Sequence, residues 1–269
     1  MSGRQKRECR MSSKSPTGLL WQRRFGPFFA TQTLGAFNDN VFKNALVILV
    51  TFGIAGLSAD QMNLYVNLAA GLFILPFFLF SATCGQLAEK YEKSRLIRYV
   101  KLLEIGIMLL AAAGLWLDSI PLLMSVLFLL GVHSTLFGPV KYSVLPSIHQ
   151  PEELTGGNGL VEMGTSISIL CGMIAGGMIF QIAGAHGPQA AAVAIVLLAV
   201  LGNVMSRMIP RMDAGAPDLK IRWNPIPESL AVLRMAKQQL AVRNAILGIS
   251  WFWFFGTVLT SQLPAYAKL

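Results

Sequence analysis

Residues 28–52 read FFATQTLGAFNDNVFKNALVILVTF. The stretch is mostly apolar and long enough to cross a bilayer as a helix. Yet its centre carries Asn38, Asp39, Asn40, Lys43 and Asn44. At helical spacing Gln32, Gly35, Ala36, Asp39 and Lys43 fall on one stripe, with Asn40 and Asn44 on its flank. Asp39 and Lys43 have the i, i+4 spacing that lets two side chains face each other along a helix. A charge at membrane depth costs roughly 2.5–3.5 kcal/mol on insertion scales, so it faces a bundle interior or a wet cavity. Two readings follow: a structural pair that locks helices together, and part of a substrate or ion pathway.

Of 269 residues, 54% are hydrophobic and only 13% are charged. A soluble domain carries about 25% charged residues. The composition therefore predicts an all-α, polytopic membrane protein with short aqueous loops. The net charge of +9 would suit nucleic acid, but the charges lie in loops between apolar spans, which argues against a nucleic-acid partner. Cys9, Cys84 and Cys171 are far apart and lack metal-ligand spacing. They predict free thiols, with no disulfide framework and no metal. No cofactor motif is present.

Residues 1–24 form a basic N-terminus resembling the start of a signal peptide. The span that follows is too long and too polar for one, so an uncleaved first helix is expected. Met11 could serve as an alternative start. The first span ends near Gly56-Leu57-Ser58. Further spans are predicted at about 62–88 (kinked at Pro76), 99–117, 120–137 (ending at Gly138-Pro139), 154–183 and 189–209. Residues 140–153 read as a polar connection. A linker at 210–243, partly helical around Glu228–Gln239, precedes a seventh span at 244–266 within the last segment, 244–269. The N-terminus carries seven Lys/Arg, the loop after the second span five, the next such loop Lys141, and the linker region seven; the intervening loops carry none. By the positive-inside rule the basic loops and the N-terminus face the cytoplasm.

Two short-looped groups of three helices followed by a basic linker, 25–209 then 210–243, have the organisation of one half of a six-plus-six transporter built from inverted repeats. Residues 85–95 read GQLAEKYEKSR. This resembles the loop signature of the major facilitator superfamily, with Gly85 permitting close helix contact, Glu89 at the acidic position, and Lys90, Lys93 and Arg95 supplying the cations. Glu92 departs from it, standing where the family has a second glycine. The resemblance implies a cytoplasmic gating latch made of an acidic residue and nearby cations. Residues 35–46 (GAFNDNVFKNAL), 137–146 (FGPVKYSVLP) and 156–165 (GGNGLVEMGT) together resemble the bacterial lysophospholipid transporter branch of that superfamily. That branch includes domains fused to a glycerophospholipid acyltransferase and an acyl-carrier-protein ligase. The resemblance implies the N-terminal six-helix half of this fold with the linker and a seventh helix. It also implies movement of lysophospholipid, typically lysophosphatidylethanolamine, across the bacterial inner membrane for reacylation, with such an acyltransferase or acyl-ACP synthetase as a partner. Full members have about twelve helices, so a truncated gene product or partial gene model is expected, with a genuine seven-helix protein as the other reading. A different amphiphile or drug as cargo, and a non-functional fragment, are the alternatives.

In the fifth span Asn158, Glu162, Thr165, Ile169, Gly172 and Gly176 share one stripe, its glycines suited to close packing. Asp39, Lys43, Asn40, Asn158 and Glu162 are therefore expected to face one central cavity. There a lysine would meet the phosphate of a zwitterionic headgroup and a carboxylate its ammonium. An internal network that never touches substrate is the competing reading. Glu104 is expected to pair with Arg98, Lys101 or the loop cations. His133 fits either a proton relay or helix packing. Lys141-Tyr142 and the linker cations from Arg207 to Arg243 are expected near anionic lipid. No catalytic residues are expected. His133, His149 and His186 lack the closely following aspartate of an acyltransferase, and no phosphate-binding GxxxxGK[ST] loop occurs.

Overall fold

The computed structural model describes residues 16–53 and 58–266. The basic residues of 1–15, the Gly56-Leu57 turn and the terminal Leu269 lie outside the described residues. A helix occupies each of the seven expected spans: α1 (Gly26–Ile48), α2 (Ala59–Lys90), α3 (Lys93–Trp116), α4 (Ile120–Ile148), α5 (Leu154–Ala183), α6 (Gly187–Arg207) and, after the linker helix α7 (Pro225–Gln238), α8 (Leu240–Tyr266). There is no strand among the described residues. By length and composition three stretches are able to cross a membrane: Asp60–Lys90, Ile120–Ile148, and Leu154–Arg207, which holds both α5 and α6. The chain folds as two compact units, one through Ile221 and one from Arg222 onward.

Local chemistry sets the helix ends. Ser58 and Gln61 form a capping box at the start of α2. The Glu92 carboxylate accepts the Ser94 and Arg95 amides and so caps α3. Asp118 (φ 48) and Gly184 (φ 54) take positive φ in the turns after α3 and α5. α1 runs on into a π-helical turn, Leu49–Gly53.

Two expected boundaries are corrected. The fourth helix does not end at Gly138-Pro139, and residues 140–153 are not a polar connection; α4 continues through Pro139 and Pro146 to Ile148. Proline removes a backbone donor. However, Val140, Val144, Leu145 and Ile148 repeat at helical spacing and are buried with Phe25, Phe28 and Val161, and that packing outweighs the loss. The third helix starts at Lys93 rather than Tyr99, because Lys93, Ser94 and Ile97 are already buried.

Within the first unit α1 packs on α5 and α6, α4 on α2 and α3, and α3 on α6. Exchanging α1 with α4, α2 with α5 and α3 with α6 leaves this pattern unchanged, as an internal three-helix repeat requires. The core is split in two. One apolar cluster holds Val41–Val50 of α1 and its extension, Ile107–Leu115 of α3, Leu123–Leu130 of α4 and Ala191–Ala199 of α6. The other holds Phe25 and Phe28, Ile97, Val140–Ile148, Leu160–Val161 and Ile209. On α1, α3, α4 and α6 the gap between the clusters holds buried polar residues: Gln32 and Asn38, Lys101 and Glu104, His133 and Thr135, Asn203 and Ser206.

Candidate functional site: a polar layer and an open charged cluster

The polar layer is built around Glu104. Its carboxylate accepts hydrogen bonds from Lys101 Nζ (2.5 Å) and Asn38 Nδ2 (3.2 Å). The His133 ring places Nε2 3.5 Å from the same group. Lys101 and Glu104 side chains are 1% and 0% exposed. The ammonium fits there because α1 and α6 present glycines to it. A Cβ on Gly35 would lie 2.5 Å from Lys101 Nζ, and one on Gly202 3.6 Å. The Phe137 ring, stacked on His133, lies 5.3 Å from the same nitrogen. Next to this set, Ser134 donates to Asp39 Oδ2 (3.1 Å). Lys43 Nζ lies 4.3 Å above the Phe73 ring, a cation–π contact. The layer thus holds Asp39 and Glu104 against Lys43 and Lys101, a charge-balanced set in a low-dielectric interior.

A second cluster lies toward the end of the bundle where the basic residues collect. Tyr142 donates to Glu162 Oε1 (2.5 Å), and Lys141 Nζ lies 3.6 Å from the same oxygen. Lys141 also donates to Thr165 Oγ1 (3.0 Å), whose hydroxyl lies 3.1 Å from Gln32 Oε1. Glu162 is 41% exposed and Lys141 12%, so this cluster opens to the surface while the layer above it is closed. Lys141 belongs to α4, not to a loop.

The five residues expected at one cavity do not meet. Phe29 and Thr33 pack on Gly164, Phe37 on Gly172 and Val41 on Gly176, so α1 and α5 run parallel in a fixed register. That register separates Glu162 from Asp39 by about ten residues of helix, roughly 15 Å along the axis. Asp39 and Lys43 therefore belong to the layer and Glu162 to the open cluster. Asp39 and Lys43 do not reach ion-pair distance among the described residues. Asn40 bonds to the Ala36 carbonyl and Asn158 to the Leu154 carbonyl, each within its own helix.

The loop signature is arranged differently from the expected latch. Among the ion pairs of the described residues Glu89 makes none; its carbonyl accepts the Ala216 amide (2.9 Å). Lys93 is buried and donates to Ser147 Oγ, Lys90 is half-buried, and Gly85 faces open space. Glu92 does the joining: besides capping α3 it accepts the Met212 amide (3.0 Å). Burial opposes ionisation of Glu92, but the bonds from Met212, Ser94 and Arg95 outweigh it and hold the carboxyl below its ordinary range. Arg24 bonds to Glu153 and the Ile148 carbonyl, tying the start of α1 to the α4–α5 turn. There burial and the Arg24 guanidinium push the His149 imidazole down, against the pull of Glu153.

Sequence reasoning named Lys101 as one of several partners for Glu104 and Asn38 among the polar residues of the first span, but it did not join Asn38 to Glu104 or single out Ser134 or the Tyr142–Glu162 bond. The i, i+3 spacing of Lys101 and Glu104 inside an apolar helix was a usable signal. The other partners come from different helices and leave no local trace.

A bundle of long apolar helices with an internal three-helix repeat and a charged interior has the organisation of a repeat-built membrane-transporter fold. Residues 28–269 match the Major Facilitator Superfamily, and the chain belongs to that family. It is similar to the lysophospholipid transporter LplT of Cronobacter sakazakii, at 29% identity over 96% of this chain and 61% of that protein. It is likewise similar to LplT of an Enterobacter species (26% over 89% of this chain and 57% of that protein) and of Escherichia coli (28% over 93% and 59%). The chain spans about three fifths of the length of these curated relatives.

Proposed function

We propose that this chain supplies the first half of a transporter that moves a lysophospholipid across the bacterial inner membrane, with its basic loops and N-terminus in the cytoplasm. The observation that carries this reading is the Lys141–Tyr142–Glu162 cluster. A cation, a hydroxyl and a carboxylate stand together at an accessible face. A phosphoethanolamine headgroup offers a phosphate to the lysine and an ammonium to the carboxylate, exchanging one internal pair for two charge-assisted contacts. Asp39 and Lys43 form a deeper station that a headgroup meets later in its passage, with Asn40 beside it on α1 and Asn158 one turn from Glu162 on α5. Delivery to a cytoplasmic acyltransferase or acyl-ACP synthetase for reacylation accords with this direction. The similarity to lysophospholipid transporters supports the cargo.

Uptake of labelled lysophosphatidylethanolamine tests the reading, in cells lacking their own transporter. The chain is expressed alone and extended by its downstream reading frame. Uptake is expected in whichever form is active, and Lys141→Met and Glu162→Gln are each expected to lower it at least about tenfold, the loss of one charge-assisted contact. Undiminished uptake by both variants at normal membrane abundance removes the headgroup role. Transport of an unrelated amphiphile in its place reassigns the cargo.

A further inference from the structure

Away from both polar stations, α3 and α6 enclose a cleft of about 420 Å³ lined by Arg95, Arg98, Tyr99, Leu102, Asn203 and Arg207. On α3 the four lining residues follow the i, i+3, i+4, i+7 pattern of one helix face; on α6 the two are i, i+4. The helices cross antiparallel, since Lys101 lies against Gly202 while Arg98 donates to the Ile209 carbonyl (3.0 Å). Three guanidinium groups converge, and none has a carboxylate partner among the ion pairs of the described residues. Two donors in the cleft are also unsatisfied. Arg98 Nε and Asn203 Nδ2 are buried without a hydrogen-bond partner. Asn203, which lines the cleft, is turned so that its oxygen accepts from Arg207 Nε (3.2 Å), and its amide nitrogen is the atom left without a partner. Buried unpaired donors beside unpaired cations call for an anion.

The rim identifies the kind of anion. Tyr99 and Leu102 line the cleft beside the arginines and are exposed, and Leu201, Val204 and Met208 on the adjoining face of α6 are exposed as well. A soluble phosphate gains nothing from such a rim, whereas an acyl chain covers it. We propose that this cleft binds the phosphate of an anionic phospholipid, as a bound lipid distinct from the transported cargo. Basic pockets between membrane helices are suited to such headgroups.

The test is native mass spectrometry of the purified full chain. It is titrated with dioleoyl phosphatidylglycerol, with dioleoyl phosphatidylethanolamine, and with sn-glycerol 3-phosphate as competitor. Tight retention of phosphatidylglycerol over phosphatidylethanolamine is expected. Arg98→Gln combined with Arg207→Gln should weaken phosphatidylglycerol about thirtyfold, and Arg95→Gln alone about fivefold. The latter guards against misfolding, because the Arg95 side chain is exposed. Equal retention of the two lipids, or undiminished phosphatidylglycerol binding in both variants, overturns the site. Displacement of the lipid by an equal concentration of glycerol 3-phosphate overturns the lipid assignment in favour of a soluble phosphate. Lysophospholipid uptake and this binding are read separately, so either proposal can fail without the other.

Discussion

Glu104 shows what one buried charge demands. It is fully enclosed, and its neighbours Lys101, Asn38 and His133 arrive from three helices. Removing the partner of a buried ion leaves an uncompensated charge, which costs about 3–5 kcal/mol. Lys101→Met is therefore expected to lower the thermal unfolding midpoint strongly, measured by circular dichroism in detergent. Lys101→Met with Glu104→Gln should recover most of that loss, since no charge then remains unpaired. Equal destabilisation of the single and double variants would show that the lysine acts through packing alone. The sequence made Asp39 and Lys43 legible as a buried polar stripe, because helical spacing is a local property. It did not reveal Ser134 under Asp39 or Phe73 under Lys43. Those contacts depend on how α1 meets α4 and α2, which no spacing within one helix encodes.

At the scale of elements, hydrophobic length identified each helix, but local rules misplaced two ends. A glycine and a proline in sequence read as a stop at position 139, yet the apolar face beyond them kept α4 helical to Ile148. The connection after α6 is held in two ways. Ile209 and Met212 are buried in the second apolar cluster, and polar contacts fasten the same stretch: Arg98 to the Ile209 carbonyl, Met212 to Glu92, and Ala216 to Glu89. Glu92 is the hub of this fastening, and its carboxyl is depressed when folded. Its contribution is thus present in full above the ordinary glutamate value of 4.5 and is lost as pH falls through the lower folded value. Protection against hydrogen exchange at the Ser94, Arg95 and Met212 amides, taken relative to the intrinsic rate at each pH, should be high above that pH and fall below it. Glu92→Ala should lack that protection throughout, at a cost of about 0.5–2 kcal/mol for the lost cap. Unchanged protection in the variant would mean that the capping bonds contribute nothing.

For the whole molecule, the alternation of loops with and without Lys/Arg set the expected orientation, and the repeat is visible in the pairing of helices. The sandwich of a polar layer between two apolar clusters was not readable in advance. It arises only when four helices align their polar residues at one depth. Orientation is tested on a cysteine-free background by placing single cysteines at Leu117 and Gln150, both exposed and near opposite ends of α4. A membrane-impermeant maleimide added to intact cells should label Leu117→Cys and leave Gln150→Cys unlabelled. The reverse pattern would invert the topology, and with it the direction assigned to transport.

The glycines of α5 have a mechanical consequence. At Gly172 a Cβ would stand 2.6 Å from the Phe37 carbonyl oxygen, and at Gly176 3.0 Å from that of Val41. Backbone thus rests on backbone at two successive levels, with side chains of α1 keyed into the notches. Sliding one helix along the other would force those side chains over the ridges between notches. α1 and α5 consequently behave as a single strut. Any rigid-body movement within the bundle has to be taken up at its other seams, with this strut as the fixed beam they turn against.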